Sequence, residues 1–108
     1  MINLFNSKDY HWSLFMGHLV IEKLLKALYV KVKRAHAPLT HDLKRIAQII
    51  PLELTDEYSD WLDIISSFNI NARYDSIKRD FYKRCTPEYS AEWIERIKLL
   101  KEWIKKEL

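Results

Sequence analysis

The sequence predicts an all-α fold: an antiparallel up-and-down bundle of four long or medium helices, with residues 76–85 read as a short fifth helix or an ordered loop. Three observations predict it. Apolar residues recur at alternating steps of three and four, which is the helical period. A capping residue stands at the start of each helical stretch. The chain holds one glycine, which argues against the Gly-rich turns of an all-β design.

The first helix is read over about 7 to 34. Ser7 is its N-cap and Asp9 favours the positive end of the helix dipole. Leu14, Ile21, Leu25, Leu28 and Val32 form its stripe, widened by Trp12, Phe15, Leu19 and Tyr29. "AHAPL" interrupts it, because Pro38 disfavours helix for the residue before it. The second helix, about 40 to 50, opens at "THDL" with Thr40 as cap and Asp42 in the first turn. Leu43, Ile46, Ala47 and Ile50 give it one apolar face, and Pro51 stops it. The third helix starts at Thr55, with two acids in its first turn. Tyr58, Trp61, Leu62, Ile65, Phe68 and Ala72 make its stripe, and fraying is expected around Asn69 and Asn71. Thr86 caps the fourth helix, with Pro87 at its first position. Trp93, Ile97, Leu100 and Ile104 follow, and this helix is expected to run almost to Leu108.

A chain of 108 residues suits one domain, and no repeat or low-complexity stretch divides 1–108. Four Trp are many large groups for so small a core, and surplus apolar surface predicts a homodimer. No apolar run approaches the ~20 residues of a membrane span, and "MINLFNSKDYHW" does not read as a secretory leader. The single Cys85 cannot form an internal disulfide, which points to a reducing compartment. A cytoplasmic location, without membrane contact, is expected. The formal charge of +3 permits an anionic or nucleic-acid partner without requiring one. With one glycine, no Gly-rich phosphate loop can be written, so any phosphate must meet Lys, Arg or a helix N-terminus.

His11, His18 and Glu22 fall near one helical face, with His18 and Glu22 an i, i+4 pair. That spacing fits part of a metal site, but nothing supplies a further ligand. The plainer reading is a histidine bonded to a core carboxylate, and neither metal nor cofactor is expected. Cys85 has basic neighbours that could lower its pKa, yet no histidine near it in sequence. "SIKRDFYKRC" (76–85) interleaves Lys78, Arg79, Lys83 and Arg84 with Phe81 and Tyr82. Cations beside aromatic faces suit phosphate contact and base stacking. The competing reading turns the aromatics inward and leaves the charges solvated.

"HLVIEKLLKALYV" (18–30), "THDLKRI" (40–46) and "NARYDS" (71–76), followed by a closing helix, resemble in order the motifs of the HEPN domain family. Members show E-K-x-x-K-A in the first long helix, H-x-L opening the second and R-Y-P after the third. These patterns map onto Glu22, Lys23, Lys26, His41, Leu43, Arg73 and Tyr74, with Asp75 standing where proline is usual. The resemblance implies a helical bundle of four or five helices. It also implies one of two roles: a ribonuclease, often a toxin, or a nucleotide-binding partner of a minimal nucleotidyltransferase. The ribonucleases use R-x(4–6)-H from two protomers, the Arg and His acting on the phosphodiester. That motif is expected to be missing here, since no His follows Arg73 anywhere in the chain.

The expectation is therefore a non-catalytic domain binding a nucleotide or RNA phosphate, dimeric, in a prokaryotic toxin–antitoxin-like system with a minimal nucleotidyltransferase as partner. The binding residues would be Arg73, Tyr74, Lys78, Arg79, Lys83, Arg84, Lys26 and His41, with no catalytic residue. Two alternatives stay open. One is a divergent ribonuclease in which His41 replaces the motif histidine; the other is a pure protein–protein interaction module.

Overall fold

A computed structural model of the chain describes residues 10–50, 52–73, 80–81 and 83–108, and the side chains of all of these except 70–73. The described residues form four helices: α1 (Tyr10–Lys33), α2 (Leu43–Ile49), α3 (Asp56–Arg73) and α4 (Pro87–Lys105). No strand occurs among them. The Ser7 cap and Asp9 lie outside the described residues.

α1 buries one long stripe containing Leu14, Ile21, Leu25 and Leu28. The stripe stops a turn earlier than expected: Val32 is exposed. Arg34 then adopts φ 52°, and its amide donates to the Val30 carbonyl at 2.9 Å. This left-handed turn closes the helix by satisfying a terminal carbonyl. α2 buries Leu43, Ile46 and Ala47, but its cap is Asp42 rather than Thr40. Asp42 Oδ1 accepts from the Arg45 amide at 3.2 Å, while Thr40 Oγ1 accepts from the Asp42 amide at 3.1 Å and so braces the cap from outside the helix. Ile50 leaves α2 in extended backbone, as a residue preceding proline must.

α3 is capped by Thr55, whose Oγ1 accepts from the Tyr58 amide at 3.1 Å. It does not fray at Asn69. The helix continues through Arg73, with Leu62, Ile65, Phe68 and Asn69 all buried. Packing here overrides the weak propensity of asparagine. α4 opens as expected, with Thr86 Oγ1 accepting from the Tyr89 amide at 3.2 Å and Pro87 in the first turn.

No fifth helix is added by the described part of 76–85. Asp80, Phe81, Lys83 and Arg84 are helical, and the Cys85 amide donates to the Phe81 carbonyl at 3.1 Å before the Thr86 cap starts α4.

α1 packs against the other three helices. α3 and α4 run antiparallel and meet through large side chains. Tyr58 stacks edge-on to Trp103 at 4.9 Å, Arg96 lies over Trp61 at 5.5 Å, and Phe68 meets Trp93 at 5.7 Å. Lys31 near the end of α1 donates to the Glu107 carbonyl just past α4, so α1 and α4 finish at the same end. α2 departs from a strict up-and-down order. Connection 34–42 returns along α1 until His41 reaches Glu22, and α2 then descends beside α1 in the same general sense, its exit at Leu52 and Glu53 lying by Trp103 and Glu107. None of the described helices is long and apolar enough to cross a membrane.

Candidate functional site

The site is built on Glu22. Its position one turn from His18 and one turn from Lys26 puts all three on one side of α1. Glu22 is buried beside Ile21, so its carboxylate needs partners. It has them on both oxygens. His41 Nδ1 donates to Oε1 at 2.7 Å, and Lys26 Nζ donates to Oε2 at 3.3 Å. His18, fully buried, lies 3.6 Å from Oε1 and donates from Nε2 to the His41 carbonyl at 3.2 Å. Burial pushes the Glu22 carboxyl up, but the hydrogen bonds and charges of His41 and Lys26 together outweigh it and hold the group below its ordinary value of 4.5. An ionised carboxylate accepts only, so His41 carries its proton on Nδ1 toward Glu22. Its Nε2 is then the nitrogen left for other work.

His41 also forms the edge of an open groove of about 460 Å³, lined by His41, Asp42, Asp63, Ser66, Ser67 and Asn69. The two walls are stitched together. Ser66 Oγ of α3 accepts from the Leu43 amide of α2 at 2.9 Å, and Lys44 Nζ meets Asp63 Oδ2 at 3.3 Å. Asn69 is 3 % exposed, and its Oδ1 has no hydrogen-bond partner among the described residues.

A comparison with known families decides where this arrangement belongs: the family model for the HEPN domain matches residues 1–108. The chain belongs to the HEPN domain family. No curated protein and no solved structure gives a significant match.

Within this HEPN domain the structure brings Lys26 and His41, both among the binding residues expected from the sequence, together on Glu22. Arg73 is the last residue of α3, one helical turn beyond Asn69 of the groove; its side chain is outside the described set. Tyr74, Lys78 and Arg79 lie outside the described residues. Lys83 and Arg84 are exposed. Phe81 between the charges is fully buried, stacked on Phe68 at 5.5 Å, with the Arg84 guanidinium 5.8 Å from its ring centre. It is a core residue and cannot stack on a base. It ties the basic turn to α3 beside Asn69. His18 is singled out in sequence by its i, i+4 spacing to Glu22. The site residues missed in sequence are Ser66 and Asn69, and neither left a signal there.

The R-x(4–6)-H spacing is in fact met once, contrary to expectation, by Arg34 and His41 with six residues between them. The fold separates the two. His41 sits at the level of Glu22, while Arg34 lies twelve positions further on, about 18 Å along α1 at a rise of ~1.5 Å per residue. An arginine side chain within one chain does not span that distance to a shared phosphate.

The metal reading of His11, His18 and Glu22 gains no support, as His18 Nε2 is engaged by the His41 carbonyl and no three His, Cys, Asp or Glu gather as ligands among the described residues. Cys85 is buried, and burial outweighs the nearby Arg84 to push its thiol up to about 11. Its basic neighbours therefore do not activate it.

Proposed function

We propose that this HEPN domain is a non-catalytic module that binds a nucleotide or RNA through phosphate. The observation that carries the reading is the convergence of Lys26 and His41 on the two oxygens of Glu22 at the rim of an open groove. Lys26 uses one of its three N–H donors on Glu22 and is partly exposed, so two remain for a phosphate. The basic turn supports the same reading: Phe81 anchors Lys83 and Arg84 to the end of α3 that carries Asn69 and Arg73. Tyr74, Lys78 and Arg79 continue that basic stretch in sequence. Homodimerisation and a minimal nucleotidyltransferase partner, in a toxin–antitoxin-like setting, belong to this proposal on the strength of the family.

Calorimetric titration with ATP, other nucleotides and short RNA at low and moderate salt tests it. Binding that weakens with salt and with Lys26→Ala is expected. Absence of heat for every ligand removes the proposal.

A second reading, a divergent ribonuclease, is favoured by one observation. A histidine whose Nδ1–H is held by a carboxylate presents Nε2 as a general base, and His41 on Glu22 has that arrangement. Cleavage of single-stranded RNA abolished by His41→Ala would establish it. RNA left intact by the purified chain excludes it.

A further inference from the structure

We propose that phosphate binds at His41 together with a proton: the free chain holds a neutral ring there, and the bound phosphate is met by a ring protonated on both nitrogens. The inference rests on the phosphate-binding reading above and names how that same site is regulated.

The hydrogen bonds at Glu22 dictate the free state. Glu22 is ionised and accepts on both oxygens, so His41 turns Nδ1–H toward Oε1 at 2.7 Å. A ring turned over would set Cδ2 against Oε1 and lose this bond. The backbone is held as well, by His18 Nε2 on the His41 carbonyl at 3.2 Å. Nε2 is then turned away from Glu22, on a side chain that is 54 % exposed. In the neutral ring Nε2 carries a lone pair and only accepts. Phosphate oxygens accept too, so a phosphate set against the neutral ring meets repulsion. One proton taken from solvent onto Nε2 turns the same approach into a charge-assisted hydrogen bond.

The charges around His41 lead to the same result. Lys26 is matched by Glu22 at 3.3 Å, and Lys44 is matched by Asp63 of α3 at 3.3 Å. Asp42, next in the chain, caps α2 through the Arg45 amide and adds a negative charge. His18, whose ring centre lies 6.3 Å from that of His41, is spent on the His41 carbonyl. With a neutral His41 this neighbourhood holds no surplus positive charge to draw an anion. Protonated His41 supplies it, and Glu22 already faces the ring as counter-charge.

The direction of the pH effect follows. A histidine gains its second proton as pH falls from about 8 to 5. Glu22 stays ionised over that range, since its carboxyl lies below 4.5. A proton that strengthens phosphate binding is itself held more tightly when phosphate is bound. Affinity is therefore expected to fall as pH rises, by up to roughly tenfold per pH unit for one linked proton.

The test is calorimetry on the full chain with a short oligouridylate bearing a 5′-hydroxyl, a ligand whose phosphodiesters do not titrate near neutrality. Titration at pH 7 in two buffers of different ionisation enthalpy, at one ionic strength, counts the protons exchanged. Net uptake is expected, with affinity falling from pH 6 to pH 8. His41→Gln is expected to bind at pH 6 no more tightly than the unaltered chain does at pH 8. Long-range nitrogen–proton spectra of the unaltered chain decide the matter even where His41→Gln fails to fold. One histidine is expected to pass from the Nδ1–H tautomer to the doubly protonated form when the RNA is added. Binding with no proton exchanged, or with proton release, overturns the inference and leaves phosphate binding standing. Uptake that survives in folded His41→Gln assigns the proton to another group and also overturns it. No binding at any pH from 6 to 8 removes both readings.

Discussion

His41 Nδ1 lies 2.7 Å from Glu22 Oε1, although the two are nineteen residues apart. This pair, with His18 donating to the His41 carbonyl at 3.2 Å, pins the returning connection to α1 at two points. Asp42 and Leu43 follow at once, so the cap and first core residue of α2 are placed by the same contact. One buried carboxylate thus links the core of α1 to the rim of the groove.

The link predicts a pH dependence. The folded Glu22 carboxyl lies below its ordinary value of 4.5. A carboxyl depressed in the folded state adds stability above its unfolded value, and that stability is lost as pH falls through the folded value. Glu22→Gln keeps the shape and removes the charge. The variant is expected to be less stable than the parent at pH 7, with the gap narrowing below about 4.5. Urea unfolding across pH 3 to 7 measures it; a gap that stays constant over that range contradicts the assignment.

Ser66 predicts a second effect. Its Oγ takes the Leu43 amide at 2.9 Å, at the start of a helix of only seven residues. So short a helix holds through tertiary contacts rather than propensity. Ser66→Ala leaves that amide without its partner and is expected to cost about 1 kcal/mol, as is Asp42→Ala at the adjoining cap. The two act on one helix start, so the double variant is expected to depart from the sum of the singles. Denaturant midpoints with unchanged slope read this directly.

Phe81 separates two readings of the basic turn. It is fully buried on Phe68, which itself meets Trp93. Phe81→Ala is expected to cost about 3 to 5 kcal/mol. Phe81→Leu fills most of the space and is expected to fold with unchanged nucleotide affinity. A folded Phe81→Leu chain with sharply weaker binding would return this ring to the ligand site.

Much of the fold was legible in the sequence because helices are written in periodicity and caps. Thr86 with Pro87, Thr55 with its acids, and the stripes of α1 and α4 each follow from local rules. The candidate site was less legible. Glu22 and Lys26 share a face by spacing, and the family pattern singles out His41, but no local rule carries the 34–42 connection back along α1. Asn69 misled for the same reason: its helix propensity is weak, and only the packing around Phe68 keeps it helical and buried. Val32 fits the stripe by period yet lies exposed in the last turn of α1.

Cys85 gives a chemical prediction. Burial holds its thiol near 11. At pH 8 only about a thousandth is thiolate, the reactive form. Modification by a disulfide reagent is expected to be slow in the folded chain and to become fast on addition of denaturant. Rapid labelling of the folded chain would show that Arg84, not burial, sets the thiol's chemistry.

The last prediction sets Lys26 against Arg34. Both are cations of the first helix region, and Arg34 alone has the ribonuclease spacing to His41. Lys26 bonds the same carboxylate as His41, whereas Arg34 stands about 18 Å further along α1 at ~1.5 Å per residue. Proximity to the groove, not linear spacing, should decide which contributes to binding. Lys26→Ala is expected to weaken short RNA and to lower the slope of log affinity against log salt by about 0.7, the share of one phosphate contact on a single strand. Arg34→Ala is expected to leave both affinity and slope as they are. The reverse result would mean that the Arg34–His41 spacing is completed across a dimer, bringing the ribonuclease reading to the front.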